Sequence, residues 1–170
     1  MSVLSSVLGG ASVVGFSGSR SVSPPSSVVA AVVAAVPPSA ALFVGCASGA
    51  DSVFRSAFAG RVSVLSASSF GSGRGAFAAR SVACVRRCLG GVWVSFPASP
   101  CPAGLVPSAS SSACFCGLGS GSWASLAFAA GLGLSCLVWL PAGVPAPAWL
   151  RSVGGGWWVL APAPSQLSLF

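Results

Sequence analysis

The chain has 170 residues and a formal charge of +7, from eight Arg and one Asp, with no Lys, Glu or His. That length holds one domain with a real core and is too short for two ordinary ones. The residue set excludes a Ser–His or Cys–His nucleophile and a carboxylate acid/base pair, while the basic excess points to an anionic partner: nucleotide, nucleic acid or anionic lipid.

Ile, Thr, Asn and Tyr are also missing, and Met, Asp and Gln occur once each. In the standard code, the missing and rare residues are those whose codons carry adenine at the first or second position. The reduced alphabet therefore reads as a constraint on the gene. Ser, Gly and Ala must then cover a surface that Lys and Glu would normally cover, which inflates hydropathy and suggests self-association into a homo-oligomer. Asp51 stands out as the only carboxylate side chain.

In chain order, Met1 to Gly10 is apolar and Ser-rich but lacks the basic start and long apolar core of a secretory signal. Ser12 to Phe16 reads as the first strand. Pro24 and Pro25 precede a helix over Ser26 to Val36, with Ser26 or Ser27 as N-cap and Pro37 and Pro38 as its stop. Leu42 to Val44 is a second strand, and Asp51 to Ala59 a helix. Val62 to Leu65 is a third strand, and Ser68 to Gly75 a flexible loop. Ala76 to Leu89 is a helix carrying Arg80, Arg86 and Arg87, ended by Gly90 and Gly91.

Val92 to Phe96 is a fourth strand. Pro97 to Gly121 is a long loop rich in Pro, Ser, Gly and Cys, of the kind that is functional or mobile in compact domains. A helix over Trp123 to Ala130 and a fifth strand over Leu134 to Leu140, buried on both faces, follow. After the Pro-rich link Pro141 to Pro147, Trp157 to Leu160 reads as a last short strand and the tail to Phe170 as irregular. Strands alternating with helices predict an α/β, Rossmann-like three-layer sandwich with a mostly parallel sheet of about five to six strands. The whole chain is read as one domain, with its core at about 12–140 and a C-terminal extension at 141–170.

Leu126 to Val144 is apolar enough to suggest a membrane span, but Gly131, Gly133, Pro141 and Pro145 break it into a helix-like and a strand-like piece, and no span is favoured. The seven Cys lack zinc-site spacing, so they are expected to be structural thiols in a reducing, cytoplasmic setting. No metal or cofactor signature is read.

Three turns built from small residues each follow a strand: Gly15 to Arg20, Gly45 to Asp51, and Gly117 to Ser122. In a parallel sheet they converge on the C-terminal edge, where backbone amides and helix N-termini favour phosphate. Arg20 adds a guanidinium able to grip a phosphate, and Asp51 is placed to bond a ribose hydroxyl or to partner Arg20. Trp123, beside the third turn, is the one Trp worth testing as a base-stacking platform. The Arg80, Arg86 and Arg87 group raises DNA binding as an alternative.

The runs Gly15-Phe16-Ser17-Gly18-Ser19-Arg20, Gly45-Cys46-Ala47-Ser48-Gly49-Ala50-Asp51 and Gly119-Ser120-Gly121-Ser122-Trp123-Ala124 resemble the SLOG superfamily, which includes the DprA/Smf and LOG-type (lysine decarboxylase-like) proteins. The resemblance spans about Ser12 to Leu140 and implies a Rossmann-like fold that binds a nucleotide or nucleotide-derived ligand. It implies that Gly18, Ser19 and Arg20 lie by the phosphate or sugar, and that Gly45, Ser48 and Gly49 form the glycine-rich turn. It further implies that Asp51 begins the helix, and that Gly119, Ser120, Gly121 and Ser122 meet the ligand from the far side. The PGGxGTxxE motif of the LOG enzymes has a glutamate with no counterpart after Gly121. Binding without catalysis is therefore expected; a nucleotide N-glycosidase using Asp51 is the alternative.

Overall fold

The computed structural model describes residues 1–162, so the expectation of an irregular tail beyond that point lies outside the described residues. A seven-stranded sheet in the order β3-β2-β1-β4-β5-β7-β6 forms the middle layer, from β1 (Val13–Gly18), β2 (Ala41–Gly45), β3 (Val62–Leu65), β4 (Val92–Phe96), β5 (Ser135–Trp139), β6 (Leu150–Gly154) and β7 (Trp157–Leu160). The first five strands are mutually parallel, and β7 and β6 add an antiparallel hairpin beyond β5. The α/β sandwich is therefore the one expected, with a sheet larger than five to six strands. The strand missing from the sequence reading is β6, whose Arg151, Ser152 and Gly154 face solvent on the sheet edge and leave no apolar run. Edge strands carry such residues because only one of their flanks is paired.

The two sheet faces are covered by different helices. On one face lie α1 (Val3–Leu8), α2 (Ser26–Ala35) and α3 (Ala50–Ala57), over a core that includes Phe16, Phe54, Phe58 and Phe96. The Phe16 and Phe54 rings stack at 4.5 Å, and Phe54 meets Phe96 at 5.0 Å. On the other face lie α4 (Arg74–Arg87), α5 (Ser111–Cys114) and α6 (Gly121–Gly131), over Trp93, Trp123, Leu126, Phe128 and the buried thiols Cys84, Cys88 and Cys136. Burying each of these large side chains contributes on the order of 2 kcal/mol.

Several element ends depart from the sequence reading. Ser2 caps α1 by accepting from the Ser5 amide, giving the N-terminal segment a helix that composition did not suggest. Neither Ser26 nor Ser27 caps α2; Pro25 is the cap, and its carbonyl accepts from the Val28 and Val29 amides. Proline's fixed φ suits that entry. The expected loop at Ser68 to Gly75 is shorter, because a 3₁₀ turn spans Ala67–Phe70 and α4 already begins at Arg74.

The apolar stretch at Leu126 to Val144 is divided between α6 and β5 within the sandwich. Among the described residues, no helix is long and apolar enough to cross a membrane.

Candidate functional site

A cleft of about 700 Å³ opens at the C-terminal ends of β1 and β4, within the size range of small-molecule sites. Ser17 to Arg20 form one wall, and Gly117 to Ser122 face them. Ala47 and Asp51 contribute from the β2–α3 turn, and the first half of α4 contributes Arg74, Phe77 and Arg80. Parallel pairing of β2, β1 and β4 brings the first two turns to one rim. The third, expected after a strand, instead follows α5 and reaches the cleft as the entry to α6. Gly18, Ser19, Arg20, Asp51, Gly119, Ser120, Gly121 and Ser122 all line the cleft; Gly45, Ser48 and Gly49 do not.

The last three residues build the wall from behind. The Ser48 hydroxyl donates to the Arg20 carbonyl at 2.9 Å, and the Ala50 amide donates to the Ser19 carbonyl at 2.9 Å. Gly49 sits at φ +71°, and a Cβ there would strike the Ser19 carbonyl oxygen, so only glycine permits the close approach. A Cβ at Gly45 would meet Asp51 Oδ2 and the Arg80 guanidinium. Arg55 closes the turn by donating to the Gly45 carbonyl at 2.8 Å and the Ala47 carbonyl at 2.7 Å. The polar groups of the central turn are thus largely consumed within the protein.

Asp51 occupies the first turn of α3 and is only 5% exposed. Its Oδ2 accepts from the Ala47 amide at 3.2 Å and lies 3.8 Å from Arg80 Nη1. The partner is therefore Arg80, not Arg20. Arg20 is exposed and instead lies over the Phe77 ring at 4.5 Å, a cation–π contact inside the cleft. Burial pushes the Asp51 carboxyl above its ordinary value, outweighing Arg80, the Ala47 amide, Arg55 and Arg20, which pull it down.

Arg80 is the site residue that sequence reasoning placed elsewhere. It was grouped with Arg86 and Arg87 as a basic face, yet it is 6% exposed while the other two are exposed. Arg80, Arg86 and Arg87 therefore do not share one exposed face of α4. A signal was available in the sequence: Ala76, Arg80 and Cys84 recur every four residues on the buried side of α4, so one Arg interrupts an otherwise apolar stripe. Arg74 and Phe77 were likewise missed, because the glycine-rich stretch Ser68 to Gly75 before α4 reads as a flexible loop rather than as a ligand turn.

Trp123 is not a stacking platform. It is fully buried, donates from Nε1 to the Ser99 carbonyl at 2.8 Å and packs edge-on against Trp149. It anchors the long loop to α6, so the segment expected to be functional or mobile is pinned at that point, and several of its residues line the cleft. The third turn is organised by Ser120, whose hydroxyl caps α6 by accepting from the Trp123 amide and pairs with the Ser122 hydroxyl at 2.8 Å. Ser19 likewise accepts from the Ser21 and Val22 amides at 3.1 Å.

The cleft lining includes three Arg and one Asp, a formal excess of two positive charges. Among the described residues, no three Cys, Asp, Glu or His side chains gather into a metal nest. The chemistry on offer is anion recognition: guanidinium groups, hydroxyls, the N-terminus of α6 and an aromatic face.

The fold and this edge site define a Rossmann-like α/β protein with its cleft at the carboxyl ends of parallel strands. No family model, curated protein or solved structure matches the chain.

Proposed function

We propose that the protein binds a nucleotide or nucleotide-derived ligand in this cleft, without transforming it. The observation that carries the reading is the meeting of the Gly18–Arg20 and Gly119–Ser122 turns across one cleft that also holds Arg20, Arg74 and Arg80. A phosphate suits the Gly119–Ser122 turn and the α6 N-terminus, where the helix dipole favours negative charge. The Arg20–Phe77 pair supplies a flat cationic and aromatic surface for a base. The SLOG resemblance in the same turns agrees with this assignment.

Asp51 belongs in this reading beneath the ligand, holding Arg80 and the Ala47 amide. A lone carboxyl engaged in that way is a poor general base, and no His, Lys or Tyr stands in for one.

Titration calorimetry with nucleosides, nucleoside mono-, di- and triphosphates and inorganic phosphate tests the reading. Phosphorylated nucleosides are expected to bind and nucleosides to bind at least ~10-fold more weakly, since a charge-assisted contact contributes more than ~1.4 kcal/mol. Absence of binding across the panel overturns the proposal. Free base appearing in the same samples reassigns the cleft to N-glycosidic hydrolysis, and affinity for long DNA alone reassigns the protein to nucleic acid.

A further inference from the structure

Cys46 opens the turn between β2 and α3, and hydrogen-bond donors gather on its sulfur. The Ala67 amide donates to Sγ at 3.2 Å and Arg80 Nη1 donates at 3.4 Å. The nearby Ser66 hydroxyl favours the anionic form of the same sulfur. A thiol is a weak acceptor and a thiolate a strong one, so donors aimed at sulfur favour its anionic, nucleophilic form.

A second observation concerns Arg80 itself. It is 6% exposed, and its Nε is buried with no hydrogen-bond partner among the described residues. Its approach to Asp51, at 3.8 Å, is longer than a hydrogen bond. A buried guanidinium that its carboxylate leaves under-satisfied keeps positive charge for a neighbouring anion. The same Nη1 that lies 3.8 Å from Asp51 comes closer to Cys46 Sγ, at 3.4 Å.

Four other thiols sit in the opposite environment. Cys84, Cys88 and Cys136 are buried on the sheet face beneath α4 and α6, and burial pushes Cys84 and Cys136 up to about 12. Cys101 is likewise raised by burial, to about 11. At Cys46 burial also pushes upward, but the Ala67 amide, the Arg80 charge and bond, and Ser66 outweigh it and bring the thiol below its ordinary value. Cys46 is also partly exposed, which lets a small reagent in.

We propose that Cys46 is a covalent modification site, activated by Arg80, that reacts with electrophiles of the hydroperoxide class. The Cys46 sulfur, as thiolate, attacks the terminal peroxide oxygen. An S–O bond forms while the O–O bond breaks, and the departing hydroxide or alkoxide takes a proton from water. Sulfur loses two electrons, the peroxide gains two, and the product is a cysteine sulfenic acid. This inference does not depend on which ligand the cleft holds.

The test treats the folded protein with hydrogen peroxide and dimedone and reads each cysteine peptide by mass spectrometry, with exposed Cys116 as internal reference. Cys46 is expected to trap dimedone at least ~10-fold faster than Cys116, and Arg80→Met to bring the two rates together. Where circular dichroism shows that Arg80→Met does not fold, Ser66→Ala, at an exposed position, is expected to slow Cys46 about twofold with the fold retained. Labelling of Cys116 as fast as Cys46 in the folded wild type overturns the proposal. So does an unchanged Cys46 rate in the variant that folds.

Discussion

The turn at Gly45 to Asp51 and the turn at Gly117 to Ser122 look alike as sequence, and the molecule uses them differently. In the first, Arg55 takes the Gly45 and Ala47 carbonyls, Asp51 takes the Ala47 amide, and Ser48 and Ala50 bond to the neighbouring turn. In the second, Gly117 to Ser122 line the cleft, and Gly117, Gly119 and Gly121 are exposed. A glycine-rich turn that opens a helix at the carboxyl edge of the sheet therefore marks where a ligand can sit. Whether that turn touches the ligand depends on how many of its polar groups the protein has already used.

The sharpest break in this comparison comes from Asp51→Ala. Removing one member of a buried pair leaves Arg80 uncompensated, and a loss of about 3–5 kcal/mol is expected in denaturant unfolding. A loss below ~1 kcal/mol would place Asp51 among the surface residues and end the scaffold reading of the first turn.

Gly49→Ala is next, at about 1–3 kcal/mol, because the new Cβ meets the Ser19 backbone and the φ of +71° is already unfavourable. Gly119→Ala, at φ +111° with open space around it, is expected to cost less stability while weakening ligand affinity. Equal stability losses in the two variants would erase the distinction between the turns.

Arg20→Ala sharpens the comparison from the ligand side. Its side chain is exposed, so stability should move by no more than ~0.5 kcal/mol. Nucleotide affinity, read by calorimetry, should fall about tenfold or more. An unchanged affinity would move the ligand away from the first wall of the cleft.

The smallest effect expected is on pH dependence. Burial raises the folded-state pKa of Asp51 above its ordinary 3.8, so the unfolded chain gives up this proton at lower pH than the native one. The Asp51 contribution is then fully present below pH 3.8 and is lost as pH rises through the raised folded value. Urea titrations across that window should show stability falling with pH in the wild type, and a flatter profile in Asp51→Asn.

Much of the architecture was legible because its signals are local. Leu42-Phe43-Val44 and Val92 to Phe96 are short apolar runs bounded by Pro or Gly, and they became β2 and β4. The edge strand β6 was not legible, since exposure of Arg151 and Ser152 removes the hydrophobic pattern on which such a reading depends. Within the site, the turns at Gly18 and Gly119 were found from composition, whereas Arg80 and Phe77 were not. Their placement comes from the packing of α4 against β2, which no contiguous stretch of sequence shows.

Sequence alone determined the α/β class, the parallel core of the sheet and the presence of small-residue turns after β1 and β2. These follow from hydrophobic periodicity and from the backbone freedom of glycine, both properties of contiguous residues. Only the tertiary structure decided that Asp51 belongs to Arg80, that Arg20 rests on Phe77, that Trp123 is core and that the central turn is scaffold. Those outcomes depend on which side chains meet across a distance in sequence and on how much water remains between them. Burial then turns an ordinary Asp and an ordinary Arg into a coupled pair beneath a basic cleft.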